Sequence, residues 1–470
     1  MSPVAEDVLG LGAAELAARI RTRKVSPVEV TEACLDRIQR FSSKLNAFET
    51  VTADLAMAQA RDADGDARLG RWHGPLHGVP YGAKDLLATL GIRTTWGARP
   101  LKEQVFDYDA TVVRRLHDHA APLLGKTAMV EFAGGLGYRD AHASVSGPGR
   151  NPWNPSRWTG GSSSGSGAAV AASLAPFALG TETWGSILCP SAFCGITGLR
   201  PTYGRVSRYG AMACADTFDK VGPLARSAAD CRLVLQLIAG QDPNDPSCSD
   251  EPIDFARPWR RRLSSLRAAL VPMDFGVKGA EPEVKEAFEK ALGELRGAGL
   301  ALEPAKLPVF PASELAGVLI NAEAVSSFEP FFRDGRVRQL VDPYAPYQSE
   351  IAAVITGADA MKAWRMRRVL QETMAQFFSE YDVIVTPNFL SVAPPVSEDL
   401  VKALPYSDPV GAIGNACGLP AIALPCGFGK DHMPVGFQIM AAPWDEGLLL
   451  DLGELYQQRT RWHLERPSLS

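Results

Sequence analysis

Thr159-Gly160-Gly161-Ser162-Ser163-Ser164-Gly165-Ser166-Gly167 packs four serines and four glycines into the eight residues after Thr159. A second Gly-Ser pair, Gly185-Ser186, follows after a short apolar segment. Glycine lets a backbone take strained conformations and bring its N–H groups close to a ligand. Serine adds a hydroxyl that can attack, relay a proton or hydrogen-bond. Gly/Ser runs are most often flexible linkers. This run is not placed like one, because Ala168 to Leu179 follows at once and is nearly all small and apolar.

Working outward, the flanks read as alternating helices and strands. Ser26-Pro27-Val28-Glu29 opens a helix: Ser26 can cap, Pro27 suits the first turn, and Glu29 completes a capping box. The periodic segment behind it runs to about Ala60. Thr111–His119 reads as a helix and Ala121–Gly125 as a strand. The lead-in Asn151–Trp158 reads as a loop, Ala168–Leu174 as a small-residue helix, and Phe177–Gly180 as a buried strand. Ser227–Ile238 is helical with Gly240 as a stop. Beyond the turn-rich Asp242–Ser247, strands at Leu266–Pro272 and Ala301–Pro308 bracket a helix at Glu281–Arg296. Helices are expected over 312–333 and 345–380. Strands are expected at Asp382–Thr386, Ala421–Pro425 and Val435–Met440, with a closing helix at Glu446–Arg461. The pattern is α/β, with 242–400 an insertion or subdomain within one sheet-based fold over residues 1–470 and a helical region at 1–65.

Composition narrows the class. The chain has 470 residues, 46% of them apolar, which is enough for a sizeable core. A net charge of −5 argues against a nucleic-acid surface. The basic cluster Arg257, Arg260, Arg261 and Arg262 reads as a solvated loop or helix start. The eight cysteines form no Cys-x-x-Cys pair and read as reduced, mostly buried thiols of a cytoplasmic protein. Met1–Asp7 lacks a basic start and an apolar run, so no signal peptide is expected there. No apolar run is long enough to span a bilayer.

Several motif readings fail on their surroundings. Gly161-Ser162-Ser163-Ser164-Gly165 fits the G-x-S-x-G elbow, which needs a preceding strand and a downstream acid and histidine. A loop precedes it, and only His432 and His463 lie far downstream, neither in a distinctive setting. Gly125-Lys126-Thr127 lacks the upstream glycine of a phosphate loop, since Ala120 stands there. His73 and His77 are separated by Pro75, and His117 and His119 would point apart on a helix, so no metal site is expected. Lys84 differs. It lies in His77-Gly78-Val79-Pro80-Tyr81-Gly82-Ala83-Lys84-Asp85, an apolar stretch that can bury an amine, and burial lowers a lysine pKa toward neutrality. A neutral amine beside serine hydroxyls can act as general base.

Lys84, the 160–167 run and Ser186 together resemble the amidase signature family. The resemblance covers nearly the whole chain, in the family's order of blocks. It includes Gly78-Val79-Pro80 to Lys84-Asp85, Gly125-Lys126-Thr127 to Glu131-Phe132, Asn151–Pro155, Gly160–Ser166 and Gly180–Ser186. It continues through Gly198–Ser207, Asp219–Leu224, Asn415–Pro420 and Pro434–Gln438. The family implies a large mixed central β-sheet covered by helices on both faces, and a Ser-cisSer-Lys triad. Matched by motif, Ser186 is the nucleophile, Ser162 the bridging serine after a cis peptide from Gly161, and Lys84 the base. Thr183, Trp184, Gly185 and Ser186 would form the oxyanion hole. Met129, Gly134, Gly135, Trp184 and Leu188 would contact substrate, with no metal or cofactor. Ser163, Ser164 and Ser166 would orient Lys84 or cap a helix beginning near Gly167.

The chain departs from the family pattern beside the nucleophile. The family usually reads Asp-Thr-Gly-Gly-Ser; here the residues are Glu182-Thr183-Trp184-Gly185-Ser186. The arginine that often follows the nucleophile is replaced by Leu188 and Cys189. These changes suggest a pocket without charge that prefers neutral apolar or aryl amides, with anilides, carbamates and esters open. They favour a free-standing amidase, monomeric or homodimeric and acting on a small molecule without nucleic acid or membrane. The alternatives are the A subunit of glutamyl-tRNA(Gln) amidotransferase, a glutaminase with partner subunits, and an inactive binding subunit. Segments 134–138, 158, 207–210 and 311–350 are expected to wall the pocket. Tyr138, Trp158, Tyr209, Phe328 and Phe331 are its aromatic candidates.

Overall fold

The computed structural model describes residues 8–135, 138–252 and 263–469. The Met1–Asp7 segment and the Arg257–Arg262 cluster lie outside the described residues. The capping box at Ser26 forms as read: Glu29 N donates to Ser26 Oγ at 3.1 Å and Ser26 N to Glu29 Oε2 at 2.8 Å. The helix it starts ends at Leu45, well short of Ala60. Asn46 takes a left-handed conformation at φ 51°, which asparagine tolerates better than most residues. The chain then turns into strand β1 (Phe48–Val51) before a second helix, Ala53–Arg68. The single helix expected over 345–380 is also two, Ala345–Ala353 and Gly357–Glu380. Thr356 restarts it with its own capping box, accepting from Asp359 N at 3.1 Å.

The sheet contains β2 (Tyr81–Lys84), β3 (Leu123–Thr127), β6 (Phe177–Glu182), β7 (Thr197–Arg200) and β8 (Lys220–Ala225). It also contains β9 (Arg267–Leu270), β10 (Ala301–Pro304), β11 (Val383–Pro387), β12 (Ala421–Phe428) and β13 (Pro434–Ala441). Among the described residues eleven strands run in the order β1-β3-β2-β6-β8-β7-β12-β13-β11-β9-β10. Pairing is mixed. β2 is parallel to β3 and β6, and β9 to β10 and β11. The pairs from β6 through β8, β7, β12 and β13 to β11 are antiparallel. Every residue of β6, β8, β11 and β13 is buried, so both sheet faces are covered there, as a strand without a polar face requires. No described helix is long and apolar enough to cross a membrane.

The Gly/Ser run becomes the start of a core helix, Ser164–Ala171, all eight residues of which are buried. Small side chains allow the close approach. A Cβ on Gly165 would fall on the backbone of Ala47 and Ala128. The lead-in read as a loop forms a hairpin, β4 (Arg150–Asn151) with β5 (Asn154–Trp158). Asn151 makes it: its Oδ1 accepts from Trp153 N at 3.1 Å, and its Nδ2 donates to Phe193 O at 2.8 Å.

Candidate active site

β2 and β6 are parallel neighbours, with Tyr81, Gly82 and Ala83 opposite Phe177, Ala178 and Leu179. Their C-terminal ends therefore lie side by side. Lys84 is the last residue of β2, and the Thr183–Ser186 turn leaves the end of β6. Ser162 lies just before the helix Ser164–Ala171, which packs on the same strands. Topology thus gathers three segments spread over a hundred residues.

Lys84 has no exposed surface. Its Nζ donates to Ser162 Oγ at 2.7 Å, to Thr181 Oγ1 at 2.9 Å and to Thr181 O at 3.4 Å. Burial pushes the Lys84 ammonium down to about 7, against a partial pull upward from Cys214, Asp219 and Glu182. The Gly161-Ser162 peptide is cis. Ser163 N donates to Ser186 O at 3.3 Å, joining the two serine segments. Ser186 is 5% exposed and lies on a cavity wall.

Among the described residues, the other serines of the run neither cap the helix nor hydrogen-bond to Lys84. Ser163, the residue ahead of the helix, makes no side-chain capping bond. Its Oγ donates to Thr181 O at 3.2 Å. Ser166 Oγ reaches Leu179 O at 2.9 Å and Thr127 Oγ1 at 2.7 Å. Ser164 Oγ donates to Ala128 O at 3.3 Å. These hydroxyls fasten the helix start to the sheet.

The turn after β6 is held from both sides. Thr183 Oγ1 donates to Asp219 Oδ1 at 2.5 Å, and Trp184 Nε1 to Asp408 Oδ2 at 3.0 Å. Gly185 stands at φ +82°, in the left-handed region that suits glycine. Glu182 Oε2 accepts from Ile187 N at 2.8 Å and Leu188 N at 3.0 Å. Those two donors are committed inward. Among the described residues, the N–H groups of Trp184, Gly185 and Ser186 have no protein acceptor. Free N–H groups on a turn beside a serine hydroxyl can receive the oxygen of an attacked carbonyl.

A cavity of about 580 Å³ opens beside this turn. Of the residues expected at substrate, Gly134 and Trp184 line it. Met129 is fully buried, Gly135 packs toward Cys214 Sγ and the Phe328 ring, and Leu188 lies in the core with Phe218 and Ile413. Tyr138 and Trp158 are the aromatic candidates on the wall. Phe328 and Phe331 pack at a tilt against Phe132, and Tyr209 against Tyr108. Ile320 is the wall's contribution from 311–350, while Arg208 faces a smaller neighbouring cavity. Sequence reasoning missed Phe389, Leu400, Val401, Leu404 and Asp408, which also line the larger cavity, beside Ala133, Cys189 and Cys214. Asp408 before Pro409 carries a helix-start signal, yet only tertiary structure places it at the site. No group of three or more His, Cys, Asp or Glu that could hold a metal occurs among the described residues.

Trp184 does not leave the pocket wall without an ionisable group. Its indole N–H turns to a carboxylate, that of Asp408, which lines the cavity. Burial raises the Asp408 pKa, and the bonds from Gly411 N and Trp184 work against that rise.

The Amidase family profile matches residues 29–450. The A subunit of glutamyl-tRNA(Gln) amidotransferase from Methylococcus capsulatus is 40% identical over 97% of this chain and 98% of its own. Relatives of the same name match at 36–39%. The peptide amidase of Stenotrophomonas maltophilia superposes with a TM-score of 0.84 at 31% identity, over 97% of this chain and 98% of its own. The A subunit of glutamyl-tRNA(Gln) amidotransferase from Thermotoga maritima superposes with a TM-score of 0.79 at 28% identity, over 97% and 96%. The full-length matches to amidotransferase A subunits overturn the free-standing reading and its preference for neutral apolar or aryl amides. They equally overturn a monomer or homodimer acting alone on a small molecule, because those relatives are named as subunits. The chain has the amidase signature fold and belongs to the amidase family of hydrolases acting on C–N bonds.

Proposed function

We propose that this chain is the ammonia-releasing A subunit of an amidotransferase, cleaving the side-chain amide of glutamine by acyl transfer at Ser186. The observation that carries this reading is the 36–40% identity to amidotransferase A subunits over nearly the whole chain. Supporting it are the buried Lys84, its 2.7 Å bond to Ser162 Oγ, and the unpaired N–H groups of the Ser186 turn.

A serine hydroxyl is a weak nucleophile until a base takes its proton. Ser186 Oγ attacks the amide carbon and passes its proton to Ser162, whose own proton goes to neutral Lys84. The carbonyl oxygen, now an anion, is received by N–H groups of the Thr183–Ser186 turn. The intermediate collapses, the C–N bond breaks, and the proton returns through Ser162 to the nitrogen, which leaves as ammonia. Water then attacks the ester on Ser186 by the same route. Glutamate leaves, Ser186 regains its proton, and the ammonia is available to a partner protein.

The test is ammonia and glutamate release from glutamine by the chain purified together with the proteins that accompany it. Both products should form in equal amounts, and Ser186→Ala should abolish them while leaving the fold intact. An assembly that hydrolyses neutral aryl amides but leaves glutamine untouched sinks the proposal.

A further inference from the structure

Trp184 and Asp408 meet from separate parts of the chain. Trp184 lies two residues before Ser186, while Asp408 caps the helix Pro409–Ala416. Both carboxylate oxygens of Asp408 are engaged: Oδ1 accepts from Gly411 N at 2.8 Å, and Oδ2 from Trp184 Nε1 at 3.0 Å. A Cβ on Gly411 would collide with this carboxylate, so glycine there leaves it room. The carboxylate is thus held by a helix end, and it holds in turn an indole on the nucleophile's turn. On the other side of that turn, Thr183 Oγ1 is held by Asp219, whose Oδ2 accepts from Cys214 N at 2.8 Å and Ala215 N at 3.0 Å. Two anchored carboxylates therefore grip consecutive side chains, 183 and 184. The next residue, Gly185, has no side chain and nothing near the place where one would be.

We propose that Asp408 is a positioning residue that acts through Trp184 to hold the peptides of the Thr183–Ser186 turn in place for catalysis. The inference rests on the oxyanion role given to that turn. Donors in such a site must already be aimed when charge develops, and glycine beside them leaves the backbone free to swing. Thr183 restrains the turn before the glycine on one side only. The Trp184–Asp408 bond supplies the second restraint and fixes the turn's rotation. Asp408 could instead serve as counter-charge to a cationic group on the substrate. The two roles differ in what they change: positioning changes kcat for any acyl donor, whereas a counter-charge changes KM for cationic donors alone.

Trp184→Phe removes the indole N–H while leaving Asp408 and its helix cap untouched. Its kcat and KM are measured with p-nitrophenyl acetate, which carries no charge, and with glutamine. The ester readout stands even if glutamine proves not to be a substrate, which separates failure of this inference from failure of the glutaminase reading. The expected result is a kcat about tenfold to a hundredfold lower, less than the roughly 10²–10³ for losing an oxyanion donor outright, because the donors are loosened and not removed. KM should stay near its original value. Adding Asp408→Asn to Trp184→Phe should lower kcat no further. An unchanged kcat in Trp184→Phe overturns the proposal. So does a double variant in which Asp408→Asn raises the KM for glutamine by about tenfold or more while the ester KM stays put, at roughly the level expected for a lost charge contact.

Discussion

A lysine with no exposed surface must either be paired or give up its proton. Among the described residues Lys84 has hydroxyl and carbonyl partners but no carboxylate at ion-pair distance, and burial takes its pKa to about 7. The neutral amine is the form that can accept a proton from Ser162. As pH rises through about 7 the neutral fraction grows, so kcat/KM should climb with pH and level off above that midpoint. Lys84→Ala should lower kcat by about 10²–10⁴, the usual contribution of a positioned base, and should remove the rise. A Lys84→Ala profile that keeps the same rise, measured by initial rates across pH 5 to 9, would assign the titration to another group.

At the scale of elements, the helix Ser164–Ala171 shows how the Gly/Ser run serves the site. Gly165 brings it against the residue that precedes β1 and the residue that follows β3. The space beside Gly165 is filled by backbone atoms of Ala47 and Ala128, which cannot rotate aside. Gly165→Ala should therefore destabilise the protein by about 1–3 kcal/mol, the usual price of overpacking a filled core. A lowered thermal midpoint would record it, and an unchanged midpoint would mean that this contact yields. The same element marks the limit of what the sequence reveals. The strands read at Phe177–Gly180, Asp382–Thr386 and Ala421–Pro425 are legible because each carries a short run of mostly apolar residues. β2, Tyr81-Gly82-Ala83-Lys84, is not legible: glycine and a charged residue argue against a central strand. β8 carries Lys220 and Pro223 in six residues and is equally opaque. Both are strands because their neighbours bury them, and Lys220 finds Asn415 Oδ1 at 2.9 Å. The proposed triad positions, Lys84, Ser162 and Ser186, are legible through the family motifs. Asp408 as a pocket residue is not, since no local pattern says that a helix cap 224 residues from Trp184 will meet it.

Across the whole molecule, one buried ion pair ties the site to the centre of the sheet. Arg200 ends β7, and its Nε donates to Leu419 O at 2.9 Å just before β12. Its Nη1 lies 2.7 Å from Glu182 Oε1 at the end of β6, with both side chains almost wholly buried. Glu182 then holds the Ile187 and Leu188 N–H groups directly after Ser186. Burial pushes the Glu182 pKa up, but Arg200 and Lys220 outweigh it and hold the carboxyl below its usual value. Arg200→Met leaves that carboxylate buried with Lys220 as its remaining cation and the two N–H groups on Oε2. Removing one partner of a buried pair strands the other, at about 3–5 kcal/mol. The pH dependence follows from the sign of the shift. In the native protein a depressed carboxyl pKa contributes stability that is present above its unfolded value and is lost as pH falls through the folded one. In Arg200→Met the folded Glu182 pKa rises, so acid protonates the stranded group and relieves it. The variant's thermal midpoint should thus lie well below the parent's at pH 8, and the gap should narrow toward pH 5. Glu182→Gln added to Arg200→Met removes the stranded charge and should recover part of the loss at pH 8. A gap that stays constant with pH would mean that lost packing of the arginine stem, and not the unpaired carboxylate, governs the effect.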